Sequence, residues 1–597
     1  MNDQKAENLL NLALSTPENV REQTDELNVG YDAERRTWEL IVTYTGDLRG
    51  RLQQDFPADE IRIRELLGGY AILNVPENLV DQVINIEEIT YAEKPKRLYF
   101  ALNRAKAASC FLEVQNASGG LILCLAHEDD GMEQGTFENS KTNLSGCGVL
   151  IGVVDSGIDY FHDDFRNMDG SSRILYLYDQ VFNRVFTQEE INAALETGDR
   201  ELARQLVPSV DGSGHGTAVA GIAAGNGRES DGRYRGAAYQ SELIIVRLGS
   251  PAPDGFPRTT QVMDGLNFIA EKALELGRPA AVNLSFGNTY GSHDGMGLFE
   301  QYLDRLTEIG RSTYVVGVGN EGDKAGHTSG KLTNNRNEPQ VIELSVAPYE
   351  SGFGVQLWKQ YEDEVEIYLT NPAGTVTERI SERLGANEID MEGTKILVYY
   401  GEPSPFSTSQ EIYFDFLPRE QYVESGIWKV TIQPVEIIDG RYDLWLPTAS
   451  ALNRSTRFLR QTPDTTLTIP STALRPISVG AYDDSVRSYA PFSGRGNTRI
   501  YGIPKPDLAA PGVNIIAPSR GGGYAPVTGT SFAAPFVTGA AALLMEWGIV
   551  KGNDPYLYGE KVKAYLRKGA KPLPGEREYP NPRTGYGALC VADSIPR

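Results

Sequence analysis

An α/β fold built on a parallel sheet is predicted for this chain, with a smaller α+β unit ahead of it and an all-β, jelly-roll-like insertion within it. Three patterns carry the prediction. Short apolar runs such as Val149-Leu150-Ile151-Gly152-Val153-Val154 and Leu243-Ile244-Ile245-Val246 alternate with helical periodicities such as the one around Val262–Ala270. Before residue 102, two strand-like runs (Trp38–Tyr44 and Tyr70–Val75) lead into a helix-like Asn78–Val83 and a further strand at Ile89–Glu93. Between about 336 and 468, strands with period-two patterning recur at short intervals, separated by turn signals such as Asn371-Pro372-Ala373-Gly374 and Asp439-Gly440. The expected division is therefore 1–101, 102–335, 336–468 and 469–597, the second and fourth segments forming one domain.

The first strands of each segment are clear. In the N-terminal unit an amphipathic start (Leu9, Leu10, Leu12, Leu14) precedes them. In the insertion the expected strands are Val341–Val346, Val365–Leu369, Lys395–Tyr400, Glu411–Phe416 and Trp428–Ile432. The polar stretch Thr187–Arg204 reads as a surface helical excursion, and 103–146 has no assignable fold. Core strands resume at Pro476–Ala481.

Composition limits the partners. The 597 residues have 40% hydrophobic and 23% charged content, ordinary for a globular protein of several domains. The net charge of −24 argues against nucleic acid, whose counterion release needs clustered Lys and Arg, and against adhesion to an anionic membrane. Acids in Met1–Leu10 stand where a secretory signal needs a basic and then an apolar run, and no membrane span is expected. Cys110, Cys124, Cys147 and Cys590 are too few for a disulfide framework and read as reduced, with a single bridge left open.

The chemistry begins at Thr528-Gly529-Thr530-Ser531-Phe532-Ala533-Ala534-Pro535, where a Gly-Thr-Ser turn runs into a buried helix. A helix start presents free N–H groups and positive potential, which suit a developing oxyanion. Alone, the serine reads equally well as a helix cap. Asp155 ends an apolar strand, where open α/β sheets place their sites. His215 stands between glycines in Gly214-His215-Gly216-Thr217, at the head of a small-residue helix.

The chain order Asp155, His215, Ser531 resembles that of the subtilisin-like serine peptidases. That resemblance implies that Asp155 orients the imidazole, His215 is general base and then acid, and Ser531 is the nucleophile. Two more blocks resemble the family: Tyr314–Gly322, in which Asn320 would donate to the oxyanion, and Val282–Gly287, the substrate-binding strand. The expected pocket residues are Ser285, Phe286, Gly287, Gly317, Val318 and Gly319. Lys505–Gly512 is family-like and expected to be structural. Ala218 and Phe532 stand where a second histidine and a methionine are common in the family, and neither position carries chemistry.

The N-terminal rhythm resembles a subtilase propeptide, which implies self-cleavage near Leu98-Tyr99-Phe100-Ala101-Leu102 and a cleaved prodomain that stays bound. Taken with the insertion, the whole resembles the clostridial germination-specific Csp proteases. That implies limited proteolysis of a protein precursor in a cytoplasmic or spore-associated setting. Two rivals remain: a general intracellular degradative peptidase, and a pseudoprotease sensor or scaffold on the same fold. No cofactor is expected. His162 with its acidic neighbours reads as a structural turn ahead of a metal site, and Asn226–Gly232 as an exposed turn ahead of a calcium loop.

Overall fold

The computed structural model describes residues 30–94, 101–115, 143–249 and 258–596, apart from a few single positions and adjacent pairs, together with five residues before 30. The chain forms two compact units, 1–100 and 101–597.

Among the described residues the first unit is a five-stranded antiparallel sheet with two α-helices. Its elements are β1 (Tyr31–Asp32), β2 (Thr37–Tyr44), α1 (Leu48–Asp55), β3 (Arg62–Leu66), β4 (Tyr70–Pro76), α2 (Val80–Ile84) and β5 (Ile89–Glu93). The strand order is β1-β2-β4-β3, with β5 on the other edge of β2. Trp38, Leu40 and Val42 alternate inward along β2 as a half-buried strand requires. Asp47 caps α1 by accepting from the Gly50 N–H at 2.9 Å, and the i,i+4 pair Leu48 and Leu52 faces the core. α1 and β3 were not foreseen. Of the amphipathic start, Leu10 is buried and Leu14 packs beside it, while Leu9 and Leu12 lie outside the described residues.

In the second unit, α3 (Ala101–Ala108) leads to β6 (Leu150–Asp155), β7 (Ile174–Asp179) and β8 (Arg184–Thr187). Helices α4 (Gln188–Glu196) and α5 (Arg200–Leu206) make the expected excursion. They are followed by α6 (His215–Ala224), β9 (Glu242–Arg247), α7 (Thr259–Glu275), β10 (Ala280–Leu284), α8 (Leu298–Leu306) and β11 (Ser312–Gly317). Ten strands follow, β12 (His327–Lys331), β13 (Gln340–Val346), β14 (Phe353–Gln360), β15 (Glu364–Thr370), β16 (Gly385–Met391), β17 (Thr394–Tyr400), β18 (Ser409–Pro418), β19 (Gly426–Glu436), β20 (Arg441–Trp445) and β21 (Arg457–Phe458). The chain then closes with β22 (Ile477–Asp483), β23 (Ser488–Tyr489), β24 (Leu508–Pro511), β25 (Ile515–Pro518), β26 (Tyr524–Val527), α9 (Thr530–Met545), α10 (Glu560–Gly569) and α11 (Val591–Ser594).

The central sheet has nine strands, β23-β22-β11-β10-β6-β9-β7-β8 with β24 also on β22. All its pairings are parallel except β7 with β8 and β22 with β23. Because side chains alternate across β6, Ile151 and Val153 enter the core beneath α6 and α9, while Leu150 and Val154 enter the one beneath α7 and α8. Gly152 is glycine for a packing reason. A Cβ there would lie 2.7 Å from Ile269 of α7.

The inserted segment forms two antiparallel sheets, β12-β20-β14-β18-β17-β16 and β15-β19-β13-β21, around a hydrophobic core of their own. All five expected strands are present. The boundary differs from expectation: β12 pairs with β20 from His327 to Lys331, so the sandwich begins inside the segment assigned to the catalytic domain. The cause is composition, since His327-Thr328-Ser329-Gly330-Lys331 carries no apolar alternation. Trp445 fixes the insertion to the core, stacking against His293 at 4.2 Å and His327 at 4.6 Å.

The reading of reduced cysteines is corrected. Cys110 and Cys590 form a disulfide, with Cα atoms 4.9 Å apart and a sequence separation of 480.

The structural role expected for Lys505–Gly512 has a concrete basis. Asp507 is fully buried and accepts from Ser478 N (2.7 Å), Lys505 Nζ (3.1 Å) and Arg567 Nε (2.9 Å), with Lys563 Nζ at 3.4 Å. Burial alone would raise its pKa. The charges of Lys505, Lys563 and Arg567 outweigh burial and hold the carboxyl far below the usual range. Asp507→Asn should therefore cost about 3–5 kcal/mol, because three cations lose their counter-charge. A depressed folded-state pKa stabilises above the unfolded value of about 3.9, and that contribution fades as pH falls below it. Denaturant titrations of the two proteins should thus differ most near neutrality, and the difference should shrink progressively as pH falls below about 4 toward the much lower folded-state value.

Candidate active site

The carboxyl ends of β6, β10 and β11 share one edge of the sheet, and the candidate residues sit there. Asp155 ends β6 and is fully buried. Its Oδ1 accepts from the Ser156 N–H and lies 2.7 Å from His215 Nδ1. An ionised carboxylate only accepts, so Nδ1 carries the proton and Nε2 is left to act as base.

His215 opens α6 after Gly214, whose φ of 82° is a left-handed conformation suited to glycine. Asp211 shapes this turn. Its Oδ1 accepts from Ser156 Oγ (2.7 Å) and Gly214 N (2.8 Å), and its Oδ2 from Thr217 N (2.8 Å) and Oγ1 (2.6 Å). Sequence reasoning missed Asp211, although an acid four residues before a Gly-flanked histidine is a capping signal. The imidazole packs against Phe532 (5.2 Å between centroids) and Phe286 (6.0 Å). Burial acts to lower the His215 pKa, but the charge and hydrogen bond of Asp155, with Asp211 beyond, outweigh it and leave a net rise above 6.5.

Ser531 lies in the first turn of α9. Its hydroxyl donates to the Ser285 carbonyl at 3.3 Å, and Ser285 Oγ donates to the Ser531 carbonyl at 3.1 Å. In this rotamer the Asp155–His215 pair is formed while the serine proton points at the β10 end. Catalytic hydrogen bonds commonly tighten only with substrate. Asn320 follows β11. Its Oδ1 accepts from Thr530 N (3.0 Å) and Oγ1 (3.2 Å), which orients Nδ2 as the available donor beside the α9 N-terminus.

Ser285, Phe286, Gly287, Gly317 and Gly319 line a cleft of about 420 Å³ that ends at Ser531 and Asn320. Val318, expected among them, is fully buried, because alternation turns its side chain into the protein. Sequence reasoning also missed one wall: Pro447, Thr448, Ser450 and Ala451 come from the end of the insertion. Ala449 N donates to Glu321 Oε2 at 3.2 Å, and burial pushes that carboxyl up. Thr289 Oγ1 donates to the Leu446 carbonyl at 2.7 Å, joining this wall to the loop after β10.

The other candidates have protein partners. His162 Nε2 lies 3.0 Å from both the Gly523 carbonyl and Glu229 Oε2, and its Nδ1 accepts from Asp164 N. In the Asn226–Gly232 turn, Asn226 Oδ1 accepts from Arg228 N. Among the described residues no group of three His, Cys, Asp or Glu could hold a metal.

Residues 146–350 and 440–587 match the Subtilase family. The chain belongs to the subtilase family. Its residues 4–96 match the Csp protease B prodomain. Among solved structures, this subtilase is similar to the Clostridium perfringens CspB protease, with 36% identity and a TM-score of 0.73 over 82% of this chain and 96% of that one. Among curated proteins it is similar to the minor extracellular protease Vpr of Bacillus subtilis, 25% identical over 76% of this chain and 52% of the relative. The serine protease AprX of Bacillus subtilis is 36% identical over 22% of this chain and 33% of its own. The chain thus spans about half the length of Vpr, the first of these curated relatives.

If Asn320 Nδ2 donates to the oxyanion, Asn320→Ala should lower kcat by roughly 100- to 1000-fold with little change in KM. Steady-state kinetics on one peptide would check this.

Proposed function

We propose that this subtilase is an endopeptidase in which Ser531 attacks the scissile carbonyl, His215 Nε2 takes its proton and returns it to the leaving amine, and Asp155 holds the imidazole. Asn320 Nδ2 and the free N–H groups at the start of α9 receive the oxyanion. The observation that carries this reading is the 2.7 Å Asp155–His215 bond at the same sheet edge as Ser531 and Asn320. No cofactor is needed for this chemistry.

The first substrate is the chain's own segment near 98–102, and the N-terminal unit stays bound after the cut. Leu98–Phe100 lie outside the described residues, so support comes from the prodomain match and from α3, which begins at Ala101. The second is a protein precursor cut at few sites in spore germination, as the likeness to a Csp protease suggests. The Cys110–Cys590 bridge favours a spore-associated setting over a reducing cytoplasm.

A fluorophosphonate probe tests the reading. It should label Ser531 in wild type, and N-terminal sequencing should find a cut near 98–102 that is absent from Ser531→Ala. Correctly folded protein that is never labelled would leave the sensor or scaffold reading in its place. Digestion of casein at many unrelated sites would favour the degradative one.

A further inference from the structure

A second cleft, of about 380 Å³, adjoins the turn that carries His215 and has no part in the chemistry above. Arg200 and Arg204, four residues apart on α5, form one side, and Arg520 of the β25–β26 turn forms another. Arg520 is tied to the active site. Its Nη1 donates to the carbonyls of Asp211 (3.1 Å) and Gly212 (2.5 Å), just ahead of His215.

The charges there do not cancel. Asp159 is committed to Arg200, whose Nη1 reaches both carboxylate oxygens at 2.9 and 3.0 Å, and to the Gly521 N–H. Asp211 is occupied by Ser156, Gly214 and Thr217, as described. Arg520 donates only to neutral carbonyls, and Arg204 has no hydrogen-bond or ion-pair partner among the described residues. Ser209 also lines the cleft, is 1% exposed, and has a hydroxyl oxygen with no partner. A buried hydroxyl without a partner is uncommon in a folded protein and marks a place for a ligand atom.

Resting on the endopeptidase reading, we propose that this cleft is a specificity subsite for an acidic side chain, Glu or Asp, of the peptide being cut. Two guanidinium groups without a carboxylate and one hydroxyl without an acceptor are complementary to a carboxylate. The chain's own junction cannot supply it, because residues 94–112 contain no Asp or Glu. The acidic residue therefore belongs to a separate protein substrate.

The test uses peptide pairs that differ only by Glu or Gln at each position flanking one cleavage site, with enzyme quantified by fluorophosphonate labelling. Wild type should cleave the Glu member faster at one position, by roughly 3- to 10-fold in kcat/KM, the scale of a partly shielded ion pair. The ratio should shrink at high salt. It should fall to about one in Arg204→Gln/Arg520→Gln and below one in Arg204→Glu. Normal labelling and cleavage with no Glu preference at any position would overturn the subsite, as would a preference unchanged in the variants. Absence of labelling and of all cleavage would overturn the endopeptidase reading and this one with it.

Discussion

Ser531→Ala is expected to lower kcat/KM by about a million-fold, the full effect of removing a triad nucleophile. The alanine keeps the helix start intact, since the first turn of α9 is held through Thr530 and Asn320 and not through the serine hydroxyl. Binding and the oxyanion donors then supply the residual rate. His215→Ala should cost about as much, and the double variant hardly more, because the two groups act as one unit. A double variant weaker by the product of the single effects would show that they act separately. Burst kinetics with a chromogenic ester would detect loss of the acyl-enzyme in each.

Asp155→Asn should lower kcat by about ten-thousand-fold with the fold preserved. The asparagine oxygen can accept from Ser156 N–H or from His215, but its amide can also donate to Nδ1, which stabilises the tautomer with the proton on Nε2. That form is no base toward Ser531. The electrostatic consequence separates this effect from misfolding. In wild type the Asp155 charge outweighs burial and raises the His215 pKa above 6.5, so activity should fall as pH drops through a value above 6.5. Without that charge burial dominates, and the acidic limb of the residual activity should shift to lower pH. A pH–rate profile of the variant with an unmoved limb would count against Asp155 as the orienting group.

Much of this site was legible because its chemistry is local in sequence. A strand ending in Val153-Val154-Asp155, a histidine between glycines and a Gly-Thr-Ser helix start each state their geometry within a few residues. The central strands were legible for the same reason: buried on both faces, they read as unbroken apolar runs. What was hidden depends on partners distant in the chain. β12 is polar and becomes a strand only through its pairing with β20, more than a hundred residues later. The Pro447–Ala451 wall belongs to a different layer from the glycines it faces, and no spacing predicts that meeting. Cys110 and Cys590 carry no motif; α3 and α11 bring them together. Asp211 was missed for another reason, since it touches no reacting atom and only shapes the turn that delivers His215.

The Cys110–Cys590 bridge also changes what a cut in this protein means. With residues 110 and 590 joined, the backbone between them is a covalent ring that contains the central sheet, the sandwich, Asp155, His215 and Ser531. A cut near 98–102 lies outside the ring and leaves two polypeptides that the bridge does not join. A cut in a surface loop within it only opens the ring, leaving both pieces attached and the layers in register. Severing the N-terminal unit is therefore covalently distinct from nicking the ring, and a gel run with and without reductant would tell one from the other.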